Sequence, residues 1–310
     1  MFYIKSKYAI KELVNKMTKS IQGVHIPPLK IQGIKTKLIP IIKEHIDIDN
    51  ETVWIEPFMG SGVVGFNVAP QNAIFADTNP YIIQFYNDIK NGVITSSLVK
   101  NFLEKEGKRL EEKDDLYYYE VRERFNKHHD SLDFLFLNRA CFNGMMRFNR
   151  DGNFNVPYCH KPYRFSKAYI TKIVNQIKYI EEQLKTKNWV FLCQSFKKTI
   201  EMSHSYKNVF IYCDPPYIGR NTDYYDSWDE EKELLLKQVL VVSNQKFMVS
   251  TWDHNQYRCN EYLKTIWSFC HKINIEHFYH VGAKEKNRVP MTEALLINYK
   301  KNSIFKTHTH

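Results

Sequence analysis

No stretch of the sequence approaches the roughly 20 apolar residues that a membrane-spanning helix needs, so no membrane partner is expected. The opening MFYIKSKYAIKELVNKM mixes lysines with apolar residues and has no signal-peptide core. No CxxC pair occurs among Cys141, Cys159, Cys193, Cys213, Cys259 and Cys270. Disulfide and zinc scaffolds are therefore disfavoured, and buried reduced thiols in a reducing cytoplasm are expected. There is no internal repeat and no low-complexity linker. The three histidines of HKINIEHFYH at 271–280 are spaced for a strand rather than for a metal site, and no metal is expected.

Positive charge, by contrast, is plentiful: 44 Lys and Arg face 34 Asp and Glu, a net of +10 that favours a polyanionic partner. Aromatic residues interleaved with Lys and Arg suit stacking on bases, although most will be core. The length, 310 residues, accommodates one large domain or two modest ones.

Short apolar runs read as buried strands at 52–55, 73–76, 189–192, 209–212, 246–250 and 294–299. Helical patterns lie between some of them, EEKELLLKQVLVV at 230–242 among these. This alternation predicts an α/β fold around a mostly parallel sheet. Residues 96–188 differ, being charged and helical in period. Ile170, Ile173, Val174, Ile177, Ile180 and Leu184 make one helix face. We read 30–95 and 189–302 as one discontinuous α/β domain and 96–188 as a helical insert. Residues 1–29 are an N-terminal extension and 303–310 a tail. Within the insert, the RDGN turn of FNGMMRFNRDGNFNVPY, between extended arms, predicts a β-hairpin near 145–158.

Three features point to chemistry. VWIEPFMGSGVVGFNVA at 53–69 is a strand, a glycine turn and an apolar segment. Gly60 and Gly62 let the backbone bend and approach a ligand, although a tight strand-to-helix turn alone would ask for the same residues. No GK[ST] follows, which excludes a phosphate-gripping P-loop. The next strand ends in Asp77, suitably placed for the ribose of an adenosine-containing cofactor. Finally, NVFIYCDPPY runs a buried strand into Asp214, Pro215, Pro216 and Tyr217. Neither proline can donate to a ladder, and each holds its predecessor extended. Asp214 and the Pro215 carbonyl therefore stand in a stiff loop at the carboxyl end of a strand, where open α/β sheets bind ligands.

Taken in order, KIQGIKTKL, EPFMGSG, ADTN, LNRACFNGMMRFNRDGNFNVPY, DPPY and TEALLINY make the chain resemble the Dam-type DNA adenine-N6 methyltransferases. The likeness runs from about Lys30 to Tyr299. It implies a Rossmann-like methyltransferase sheet with an inserted DNA-recognition domain, and S-adenosyl-L-methionine as methyl donor. Lys35 would meet the methionine carboxylate. Ile31, Phe58, Gly60 and Gly62 would line the cofactor, Asp77 would take the ribose hydroxyls, and Phe196 would pack on the adenine. Ile31 and Ile34 stand where the family usually has tryptophan and glycine, and Ser195 where many members have an acid.

The resemblance also assigns the DPPY loop. Asp214, also counted with the cofactor residues, and the Pro215 carbonyl would each accept a hydrogen bond from the adenine N6, with Pro216 keeping the loop stiff and Tyr217 stacking on a flipped base. Arg147 would read a guanine, Met145 and Pro157 would touch thymine methyls, and Phe142 and Asn143 would wedge into the duplex. Lys30 and Asn149 complete the implied DNA-contacting set. The implied partner is double-stranded DNA carrying GATC or a related GA-containing site. A cognate restriction endonuclease acting separately, and a monomer or weak dimer, complete the expectation. Methylation of RNA or of cytosine N4, and a non-catalytic DNA-binding relic of the fold, are the alternatives.

Overall fold

The computed structural model describes residues 23–218, 228–255, 257–277 and 291–300. Residues 1–22 of the expected N-terminal extension, the expected tail at 303–310, and His280 of the histidine group lie outside them.

Seven strands form one sheet: β1 Val53–Glu56, β2 Asn72–Asp77, β3 Asn188–Cys193, β4 Val209–Cys213, β5 Lys246–Asn255, β6 His271–His277 and β7 Met291–Ile297. Their order is β3-β2-β1-β4-β5-β7-β6. β3, β2, β1, β4 and β5 run parallel, while β7 is antiparallel to both β5 and β6. Each apolar run expected to be a strand overlaps one, although Thr52 precedes β1 and Asn298 and Tyr299 follow β7, and residues 271–277 of the histidine-bearing stretch supply β6. The mostly parallel α/β class is the one read from the sequence.

Alternation along the strands explains why the sheet is covered on both faces. Trp54, Phe210 and Tyr212 face one apolar cluster, and Ile55, Val209 and Ile211 face the other. All five residues of β4 are buried. The second cluster is closed by α8 Phe196–Glu201 and α9 Glu230–Ser243, through Ile200, Leu236 and Leu240. Asp229 caps α9 by accepting from the Lys232 amide, and Glu230, Glu231 and Glu233 occupy its first turn, where the helix dipole favours acids.

The first cluster continues into the helices that follow β2. After α1 Ile39–His45, α2 Val63–Val68 and α3 Pro80–Lys90 come α4 Ser96–Lys113, α5 Asp115–His128, α6 Ser131–Ala140 and α7 Lys167–Leu184. The predicted α7 face is buried at Ile170, Ile173, Ile177 and Ile180. Val174 and Leu184 are only partly buried at its edge. No strand element interrupts residues 96–187. The buried carboxylates Glu106 and Asp133 are both met by the guanidinium of Arg124, whose charge they need in so apolar a setting.

The predicted hairpin is present as an antiparallel loop with bridges Cys141–Tyr158 and Phe148–Phe154 in place of a continuous ladder. Its turn closes through the Gly152 amide onto the Asn149 carbonyl, with Gly152 at φ 78°, the left-handed conformation that favours glycine there. The six cysteines are free, but only Cys141 and Cys213 are buried, while Cys193 and Cys259 are exposed. Among the described residues no helix is long and apolar enough to cross a membrane, and no cluster of side chains is arranged to hold a metal ion.

Candidate active site

The strand order reverses between β1 and β4, so the loops at their carboxyl ends diverge and leave a crevice. A cavity of about 260 Å³ occupies it. Its walls come from the ends of β1, β2, β3 and β4, from the loop at 31–35, and from the foot of the hairpin.

The glycine turn after β1 shapes one wall. Gly60 and Gly62 have φ of 49° and 77°, and a Cβ on Gly62 would meet the Phe66 ring at 2.5 Å. Gly60 lines the cavity, whereas Gly62 does not and serves the turn behind it. Asp77, at the end of β2, locks this turn by accepting from the Gly60 amide at 2.9 Å with one oxygen and from the Asn79 amide at 2.9 Å with the other. Beyond Asp77 the wall is aromatic. Phe58 and Phe196 stack with ring centroids 5.4 Å apart, and Trp228 stands against both. Ser195 caps α8 through the Lys198 amide.

The opposite end is charged. Lys35 is 4% exposed, and its Nζ lies 2.9 Å from Asp214 Oδ1, donates to the Gly33 carbonyl at 2.8 Å and sits 4.9 Å from the centre of the Tyr217 ring. The side chain of Asp214 is 23% exposed, toward the cavity. Its burial pushes the carboxyl up to about 6, against the opposing pull of Lys35. Pro215 is buried and Pro216 lines the cavity. The Tyr217 hydroxyl donates to Glu293 at 2.8 Å, and Glu293 is wholly buried.

Glu56, at the end of β1, adds a second buried carboxyl to this end. It accepts from the Trp54 indole at 2.9 Å, and burial pushes it up to about 8 despite that bond. Burial thus favours the protonated form of Glu56 beside the Asp214–Lys35 pair.

The structure gathers Ile31, Lys35, Phe58, Gly60, Asp77, Phe196, Asp214, Pro216 and Met145 around one cavity, although they come from widely separated stretches of chain. Met146 lines it too, whereas Phe142, Asn143, Arg147, Asn149 and Pro157 do not. Phe142 is 51% exposed, and Asn143 beside it has φ 54°. Arg147 donates from Nε to the Asn155 side-chain oxygen across the hairpin at 2.9 Å, which fixes its guanidinium plane. Asn149 commits its side-chain oxygen to the amides of Asp151 and Asn153 and so builds the turn. Pro157 is exposed, and its carbonyl accepts from the Phe142 amide. The backbone of Lys30 is held by the side chain of Asn138, and burial beside Arg139 and Arg164 pulls its ammonium down to about 8.

Reading the sequence by motif missed Glu56, Trp228 and Glu293 as residues of this region. Acids inside the apolar strands VWIE and TEALLI were the available signal for the two glutamates. Nothing in the local pattern marked Trp228.

The donor set fits S-adenosylmethionine. An aromatic corner beside an acid suits an adenosine, and a buried ammonium with carboxyl groups suits an amino-acid end. Residues 32–285 match the family model described as D12 class N6 adenine-specific DNA methyltransferase. A DNA adenine methylase of Vibrio cholerae is 34% identical over 201 residues, covering 63% of this chain and 66% of that protein. A DNA adenine methylase of Haemophilus influenzae is 35% identical over 202 residues, covering 62% and 64%. The chain thus spans just under two thirds of these two relatives. The type II methyltransferase M.MjaIII of Methanocaldococcus jannaschii is 31% identical over 302 residues, covering 88% of this chain and 99% of that protein.

Proposed function

Because the chain belongs to the D12 class of N6 adenine-specific DNA methyltransferases, we propose that it methylates the exocyclic N6 of adenine in a short duplex site, with S-adenosylmethionine as donor. The observation that carries this reading is the position of the DPPY loop. Asp214 and Pro216 stand on the wall of the same cavity as Asp77, Phe58 and Phe196.

Bound there, S-adenosylmethionine supplies an electrophilic sulfonium methyl group. Asp77 receives hydrogen bonds from its ribose, Phe58 and Phe196 pack its adenine, and Gly60 and Ile31 admit it closely. Lys35 neutralises its carboxylate while remaining beside Asp214. The lone pair of adenine N6 is delocalised into the ring and is a poor nucleophile. The Asp214 carboxylate and the Pro215 carbonyl each accept one N6–H bond. Two fixed acceptors turn the lone pair outward and stabilise the positive charge that develops on nitrogen. Tyr217, anchored by Glu293, stacks on the base, which must be flipped out of the duplex to reach this loop.

Residues 96–188 act as the target-recognition domain. Phe142 and Asn143 fill the space the base leaves, Arg147 reads a guanine edge, and Met145 and Pro157 touch thymine methyls. Lys30 supports the backbone beside them, and Asn149 shapes the hairpin tip. The site is GATC or a related sequence with a GA core. The hairpin disfavours RNA, whose deep, narrow major groove side chains do not read. The basic balance of the chain supports a duplex polyanion as substrate. A role in restriction–modification, beside a separately acting endonuclease, or in regulation follows from such an activity.

The test is transfer of tritiated methyl from S-adenosylmethionine to defined duplexes, with methylation-sensitive sequencing of DNA from cells that express the protein. Incorporation at adenine N6 in one short site is expected. Duplex binding without incorporation would favour a catalytically silent relic, and incorporation at cytosine N4 would reassign the target base.

A further inference from the structure

The aromatic corner of the cavity is completed by a residue that belongs to none of the sequence motifs. Trp228 precedes the cap of α9 and lines the cavity. Its ring centroid is 5.4 Å from that of Phe58, nearly perpendicular at 80°, and 5.5 Å from that of Phe196 at 58°. A tryptophan this close to the surface has rotamer freedom to lose, and something must hold it if it is to serve as a wall.

Glu233, one turn into α9, does so. Its carboxylate is 4% exposed and accepts from the Trp228 indole N–H at 2.6 Å and from the Trp267 indole N–H at 2.7 Å. Trp267 is buried in the core beneath α9. One carboxylate therefore ties a cavity-lining indole to an indole that cannot move. A carboxylate suits this task because both its oxygens are acceptors, whereas an amide would turn a donor toward one of the two N–H groups.

We infer that Trp228 is a third aromatic wall for the adenine ring of the bound nucleoside cofactor, and that Glu233 is the positioning residue that holds its indole in place. This rests on the reading of the cavity as an S-adenosylmethionine site. Phe58 and Phe196 present apolar faces there, but neither can form a hydrogen bond that fixes its tilt. The N–H of Trp228 gives the corner one ring of defined orientation, in the cavity that Asp77 also lines. A planar heteroaromatic ring packed against that corner buries its face while its ribose reaches the acid.

The test uses S-adenosylhomocysteine, which has no methyl to transfer, and reads binding by titration calorimetry on the purified full chain. Trp228→Ala is expected to weaken binding at least about tenfold, the scale of one lost aromatic pair with its buried area. Trp228→Phe keeps a ring and is expected to stay within about threefold of the parent, but to lose the ligand-induced change in tryptophan fluorescence. Glu233→Gln is expected to weaken binding in the parent and to add little in the Trp228→Phe background, because phenylalanine has no N–H to hold. Circular dichroism checks that each variant is folded, and the Phe variant keeps the test decisive should the alanine variant unfold. Unchanged affinity in folded Trp228→Ala, or a fluorescence response that survives in Trp228→Phe, overturns the inference while leaving the cavity assignment intact. Failure of the parent protein to bind S-adenosylhomocysteine at all overturns the cavity assignment itself.

Discussion

The ammonium of Lys35 lies 2.9 Å from Oδ1 of Asp214. This pair joins the loop before α1 to the loop after β4. It also sets the state of the carboxyl group: desolvation drives Asp214 toward neutrality, and the buried lysine beside it restrains that drift. The resemblance assigns Lys35 to a carboxylate of the cofactor. The structure shows it already facing a carboxylate of the protein. A residue that meets both would link occupation of the cofactor site to the charge of the DPPY loop.

Replacing Asp214 with alanine removes one of the two proposed acceptors for the adenine N6. The single-turnover rate should fall by about 100- to 1000-fold, the usual cost of one preorganised electrostatic contact. Rapid-quench measurement with labelled donor, together with circular dichroism to verify folding, is the check. Near-parental turnover would remove Asp214 from the mechanism.

The acidity of Asp214 gives a pH dependence with a definite sign. Burial raises the group from 3.8 to about 6. Only the carboxylate accepts at both oxygens, and protonation puts an O–H donor where an N–H must be received. The single-turnover rate should therefore hold steady at pH 7 to 8 and decline as pH drops through about 6. In Asp214→Asn this limb should vanish along with most of the rate. A parental rate unchanged down to pH 5 would contradict the assignment.

Asp77 has two tasks, since it locks the glycine turn and faces the cavity. Asp77→Ala should raise the dissociation constant of S-adenosylmethionine at least about tenfold, equivalent to ~1.4 kcal/mol. Asp77→Asn retains an acceptor and should lose less. Calorimetry separates these outcomes, and equal affinity in all three proteins would move the ribose contact elsewhere.

Arg147 is held by Asn155 across the hairpin, through Nε to the side-chain oxygen and through Nη2 to the carbonyl. Arg147→Ala should slow methylation of the cognate duplex and narrow its advantage over a duplex with the guanine 5′ to the target adenine replaced. A bidentate arginine–guanine contact discriminates by ~1–3 kcal/mol. Matched single-turnover rates on the two duplexes decide the matter. An equal loss on both would make Arg147 a backbone contact.

Much of this architecture is local and was legible in the chain itself. Apolar runs long enough only for strands, helical periodicity between them, glycines at left-handed positions and prolines that end β4 each act over a few residues. The same reasons placed the hairpin turn at Gly152 and the acid at the end of β2. The limits of β5 and β7 were less legible, because their ends pair with each other and that pairing is not a local property. Cys193 ends an apolar run yet is exposed, since an apolar neighbourhood in sequence need not be one in space.

The tertiary structure alone decided which of these pieces meet. Lys35 reaches Asp214, Tyr217 reaches Glu293, and one buried glutamate joins Trp228 to Trp267. The first depends on where the loop before α1 crosses the end of β4, the second on the order of strands in the sheet, and the third on the way α9 packs over its face. No periodicity or motif encodes them, because their physical cause is burial. A charge or indole taken out of water must find a partner, and only the folded chain determines which partner is within reach.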